Sequence, residues 1–137
     1  MPEYKNRVLT VDVLILNSDR HILLIRRGAD PYKDHWALPG GYMEYDETSE
    51  QAARRELQEE TGLSADRLTL LGVFDDPARH PQQRVSVAYY GTATGRLSPA
   101  DDALETMFFP LDKLPEKLAF DHATMITQLG GVLPAGK

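Results

Sequence analysis

An α/β fold, with a mixed β-sheet sandwiched between α-helices, is what the sequence predicts, and three features predict it. Several runs rich in Val, Ile, Leu and aromatic residues have the length of strands. One segment, 48–62, carries both start and stop signals for a helix. Strands and helices do not alternate at the spacing of βαβ units, so the sheet is expected to be mixed rather than all parallel. The 137 residues suit a single domain, 1–137, with a real hydrophobic core.

In chain order, residues 8–16 form an apolar run broken only by Thr10 and Asp12, and 21–25 form another. The turn-prone Asn17-Ser18-Asp19-Arg20 lies between them, which predicts a β-hairpin. Leu38-Pro39-Gly40-Gly41 cannot be a helix interior and reads as a tight loop. Thr48 followed by Gln51 matches a capping box, and Gly62 suits a helix stop, so a helix is expected over 49–60. Further strands are expected at 68–74, 84–94 and 106–109, and Asp121 is placed to cap a last helix over 123–129.

Composition narrows the function classes. At 42% hydrophobic and 26% charged, the chain has an ordinary globular make-up. A net charge of −6 gives no general attraction to nucleic acid or to an anionic membrane surface. The absence of cysteine excludes disulfides and thiolate metal sites. No run approaches the roughly 18 apolar residues of a membrane span, and no charged segment followed by an unbroken apolar stretch opens the chain. A cytoplasmic protein is the expectation.

The chemistry concentrates in 41–63, GYMEYDETSEQAARRELQEETGL. Glu56, Glu59 and Glu60 stand at i, i+3 and i+4, which places three carboxylates on one helical face. Left alone such a cluster repels itself. A hard divalent cation, Mg²⁺ or Mn²⁺, favours carboxylate oxygens and removes the repulsion.

This stretch resembles the Nudix box. The family pattern runs Gly, five residues, Glu, seven residues, then Arg-Glu-aliphatic-x-Glu-Glu-x-Gly-aliphatic. Gly41, Glu47, Arg55, Glu56, Leu57, Glu59, Glu60, Gly62 and Leu63 fill it without departure. Fixed residue types at roughly 6–7% usage each make a chance match rarer than about one in a million. Trp36-Ala37-Leu38-Pro39-Gly40 also resembles the family's approach to the box. The resemblance implies a Nudix fold and hydrolysis of a nucleoside diphosphate linked to another moiety, with a metal-activated water attacking the pyrophosphate. It implies Glu56, Glu59 and Glu60 as metal ligands, Glu47 and Arg55 as an orienting ion pair, and Glu59 or Glu60 as general base. The Gly40 carbonyl is a further candidate ligand, because glycine lets the backbone come close. A homodimer is also implied.

A carboxylate from a distant loop is the other candidate base. Glu105 is chosen from Asp101, Asp102 and Glu105 because it directly precedes the expected strand. Arg26 and Arg27 end a strand that should point toward the site, so either is a candidate phosphate ligand. His21, His35, His80 and His122 form no metal-ligand spacing. The segment 75–89 resembles the stretch after the box in ADP-ribose pyrophosphatases, with Pro77 and Pro81 bracketing the place of a proline. Leu118-Ala119-Phe120-Asp121-His122-Ala123 resembles a C-terminal stretch of ADP-ribose-acting relatives. ADP-ribose or a related nucleotide sugar is therefore the expected small-molecule substrate, cleaved to AMP and a sugar phosphate, with Arg79 and Arg84 as candidate phosphate or ribose contacts. One rival is a (deoxy)nucleoside triphosphate pyrophosphohydrolase, recognised by release of pyrophosphate. Another is a non-catalytic nucleotide-sensing Nudix domain, against which the intact box argues.

Overall fold

The computed structural model describes residues 5–98 and 103–134. β1 (Leu9–Ile15) is the strand around which the rest assembles. Its near-continuous apolar sequence is that of a strand buried on both faces. Val11, Val13 and Ile15 join one core cluster, and Leu14 joins the other with the adjoining Leu16. The first cluster is closed by Ala52, Ala53 and Leu57 of α1 (Ser49–Thr61), the second by Met125, Ile126 and Leu129 of α2 (His122–Val132). The sheet is thus sandwiched between helices, as expected.

β1 lies between β4 (Gly40–Tyr42), to which it is antiparallel, and β6 (Val85–Thr94), to which it is parallel. β6 pairs in turn with β5 (Ser64–Phe74), which completes a mixed four-stranded sheet. β2 (His21–Arg27), β3 (Trp36–Ala37) and β7 (Ala103–Pro110) form a separate antiparallel sheet in the order β3-β2-β7.

Three local expectations are corrected. The turn at 17–20 forms, but β1 and β2 belong to different sheets and share only the bridge Leu16↔Ile22. Both strands are apolar on both faces, so each is better covered between two layers than beside the other in a half-exposed hairpin. Leu38-Pro39-Gly40-Gly41 is only in part a loop, because Gly40 and Gly41 pair with Asp12 and Val11. Without side chains they approach β1 so closely that a Cβ on Gly40 would fall onto the Val11 carbonyl oxygen. Asp121 precedes α2 but caps it with no side-chain hydrogen bond, because its carboxylate is held by Arg79.

α1 begins where the capping box predicts. The Gln51 amide donates to Thr48 Oγ1 at 3.1 Å, and the Thr48 amide donates to Gln51 Oε1 at 2.8 Å. It stops at Gly62, whose φ of 79° is left-handed and whose amide donates to the Gln58 carbonyl. Thr48→Ala removes the cap without touching the core. Its stability in urea is expected to fall by about 1 kcal/mol at unchanged m-value.

Candidate active site

The acidic face of α1 is organised by Arg55. Its Nε donates to Glu47 Oε2 at 3.0 Å, and its Nη2 donates to Glu47 Oε1 at 2.7 Å and to the Tyr42 carbonyl at 2.8 Å. Nη1 donates to Glu56 Oε1 at 2.9 Å and to Glu59 Oε2 at 3.2 Å. One guanidinium therefore ties the loop before the helix, strand β4 and two helical carboxylates together, in the bidentate geometry that arginine offers and lysine does not. Glu47 also accepts from the Glu44 amide at 2.8 Å. The Arg55 hydrogen bond holds the Glu47 carboxyl below its ordinary value, with burial opposing. Arg55 is in turn pushed up, first by its hydrogen bond to Glu47.

Glu56 has the opposite problem. Its carboxylate packs against the backbone of β4, where a Cβ on Gly41 would sit 2.6 Å from Oε1. Burial pushes its carboxyl up, Arg55 and a hydrogen bond with Glu60 pull it down, and the Glu59 charge pushes it up again. A third of the family-type acidic cluster, Glu60, faces a concavity it shares with Arg26, Arg27 and Gly28. The donors suit a hard divalent cation in type, since all are carboxylates and one guanidinium is shared between two of them. Among the described residues no three acidic or histidine side chains are already drawn together as a metal cage, because Arg55 holds Glu56 and Glu59 to itself.

A second concavity adjoins the first through Arg27 and is lined by Gly40, Gly41, His80, Arg84 and Phe120. The Arg27 guanidinium lies 5.1 Å above the Phe120 ring, and that of Arg84 lies 4.5 Å above Tyr42. Gly40, Arg27 and Arg84 are thus brought together, beside the carboxylate helix.

The other candidates are paired within the fold, although Arg26 also lines the first concavity. Arg26 pairs with Glu105 at 2.9 Å and with Asp34 at 3.5 Å. β7 starts at Ala103, so Glu105 stands inside the strand opposite Arg26 rather than on a loop before it. Asp101 and Asp102 lie outside the described residues. Arg79 is buried, donates to both Asp121 oxygens at 2.9 and 2.8 Å, and gives Nη1 to the Arg84 carbonyl at 2.9 Å. Its donors act within the fold and position Arg84.

Sequence reasoning passed over Asp12, Ser86 and His122. His122 Nδ1 accepts from the Leu38 amide at 3.0 Å, so Nε2 carries the ring proton toward Asp12 Oδ1 at 3.3 Å. Ser86 Oγ donates to the other Asp12 oxygen. Asp12 as a polar break in an apolar run was the one signal for this network.

A family model for the NUDIX domain matches residues 6–129. The chain belongs to this family. It is 45% identical over 125 residues to an ADP-ribose pyrophosphatase of Methanocaldococcus jannaschii, covering 90% of the chain and 73% of that relative. It is 40% identical over 73 residues to an 8-oxo-dGTP diphosphatase of Proteus vulgaris, covering 49% of the chain and 62% of that protein. Among solved structures it resembles a bifunctional NMN adenylyltransferase/ADP ribose pyrophosphatase of Francisella tularensis, complexed with AMP and a Mn ion. The TM-score is 0.78 at 32% identity, over 95% of this chain and 43% of that one. The expectation of a Nudix fold is met, and no helix among the described residues is long and apolar enough to cross a membrane.

The depressed Glu47 carboxyl makes the Arg55 contact pH-dependent. A carboxyl lowered in the folded state stabilises fully above its ordinary pKa, about 4.5, and loses that contribution as pH falls through the folded value. Arg55→Gln is therefore expected to be less stable than the wild type at pH 7, with the gap narrowing below pH 4.5 in paired urea melts.

Proposed function

We propose that this Nudix protein hydrolyses the pyrophosphate of a nucleoside diphosphate linked to another moiety, with ADP-ribose or a related nucleotide sugar as substrate. The observation that carries the reading is the Arg55-held carboxylate face meeting a cationic, glycine-floored pocket at Arg27. Anionic phosphates suit the pocket, and cations suit the helix. The kinship with the archaeal ADP-ribose pyrophosphatase supports the substrate.

In this reading Glu56, Glu59 and Glu60, with the Gly40 carbonyl, hold Mg²⁺ or Mn²⁺. The metal, when bound, neutralises the pyrophosphate and makes a water more acidic. Arg27 and Arg84 hold phosphate oxygens, with Arg84 kept in place by Arg79. Glu59 or Glu60 accepts the proton of the attacking water. The water oxygen bonds to one phosphorus, the P–O–P bridge breaks, and ADP-ribose yields AMP and ribose 5-phosphate. Arg55 and Glu47 touch no substrate and act by fixing the carboxylates. Glu105, paired with Arg26 between β2 and β7, is the alternative base.

A panel of ADP-ribose, other nucleotide sugars and nucleoside triphosphates with Mg²⁺, resolved by chromatography, tests the substrate. AMP and ribose 5-phosphate are expected from ADP-ribose, and Glu60→Gln should lower kcat by about 100-fold or more. Turnover of triphosphates with release of pyrophosphate, and none of ADP-ribose, would overturn the proposal.

A further inference from the structure

His80 belongs to the pocket of Arg27 and Arg84 but is built differently from them. Its residue is only 5% exposed, yet it lines the concavity with Gly40 and Gly41. The ring stacks on Phe120 with centroids 4.7 Å apart and planes 12° apart, which fixes its orientation. Nδ1 accepts from the Gln82 amide at 2.9 Å, so the lone pair of that nitrogen is in use. A neutral imidazole then carries its proton on Nε2. Among the described residues Nε2 meets no hydrogen-bond partner, and it is not one of the buried atoms sealed from solvent. It is a buried, oriented donor opening onto a cationic pocket.

From this geometry we infer that His80 is a further substrate-binding residue, whose Nε2–H donates to an oxygen of the substrate's pyrophosphate. The chemistry selects the ligand. A protonated Nε2 repels a cation and offers no lone pair, so the group reads an anion and is not a metal ligand. Burial, with the charges of Arg84, Arg79 and Arg27, holds the ring near a pKa of about 4, so it stays neutral at pH 7. A neutral donor adds a directed hydrogen bond where a further full charge beside three arginines would cost more than it returned. Phe120 serves both neighbours, with His80 stacked on its ring and Arg27 over it.

The inference rests on the site being a pyrophosphate site, and the probe is inorganic pyrophosphate without divalent metal. Long-range ¹H–¹⁵N spectra of the wild-type histidine rings should show His80 protonated at Nε2, with that proton moving downfield as pyrophosphate saturates. His80→Phe keeps the stack on Phe120 and removes the Nε2 donor together with the Nδ1 acceptor of the Gln82 amide. It should bind pyrophosphate about tenfold or more weakly, and His80→Gln should recover part of the loss. Ring signals unmoved at saturation, no binding by the wild type, or wild-type affinity in a folded His80→Phe would each overturn the assignment. If His80→Phe does not fold, the wild-type ring titration decides. Pyrophosphate binding with the ring shift, in a protein that hydrolyses no nucleotide, would uphold His80 and refute the proposed substrate.

Discussion

Three carboxylates on one turn-and-a-bit of helix are a charge problem, and Arg55 is the group that makes the arrangement tolerable. Its five donors reach Glu47, Glu56, Glu59 and the Tyr42 carbonyl. No other side chain could satisfy a loop carboxylate, two helical carboxylates and a strand carbonyl from one plane. Because Tyr42 lies on β4 and β4 pairs with the central strand β1, the same contact registers α1 against the sheet. Helix packing through Ala52, Ala53 and Leu57 supplies the larger energy, and Arg55 supplies the orientation.

The opposite wall of the site rests on a buried polar network rather than on a single side chain. His122 on α2 accepts from the Leu38 amide and faces Asp12 on β1, and Asp12 also accepts from Ser86 on β6. Arg79 pairs with Asp121 beside it and holds the Arg84 carbonyl. Each of these groups has a partner, which is the condition under which buried polar groups specify a structure instead of weakening it. Through them the start of β4, the approach to α2 and the Arg84 segment are fixed together. The pocket of Arg27 and Arg84 is therefore assembled by segments that lie far apart in the chain.

What was legible in the sequence follows from the range of the interactions concerned. Helix α1 was readable nearly to its ends because Thr48, Gln51 and Gly62 act within a turn of where they stand. The acidic face was readable for the same reason, as helical spacing alone puts Glu56, Glu59 and Glu60 together. The division of β1 and β2 between two sheets was not, since it depends on which layers cover their apolar faces. Arg79 shows the limit most clearly. As sequence it is one more arginine near the site, and only the fold reveals Asp121, forty-odd residues away, taking its guanidinium. His80 was set aside with the other histidines because a ring stack and a backbone contact have no spacing rule.

The proposed function requires the acidic face of α1, restrained by Arg55, to take up a divalent cation. Titration of Mn²⁺ into the protein, without substrate and followed by thermal melting, tests it most directly. The melting temperature of the wild type should rise saturably with Mn²⁺, and Glu56→Gln should lose most of that rise. A melting temperature indifferent to Mn²⁺, or an equal rise in Glu56→Gln, would contradict the claim.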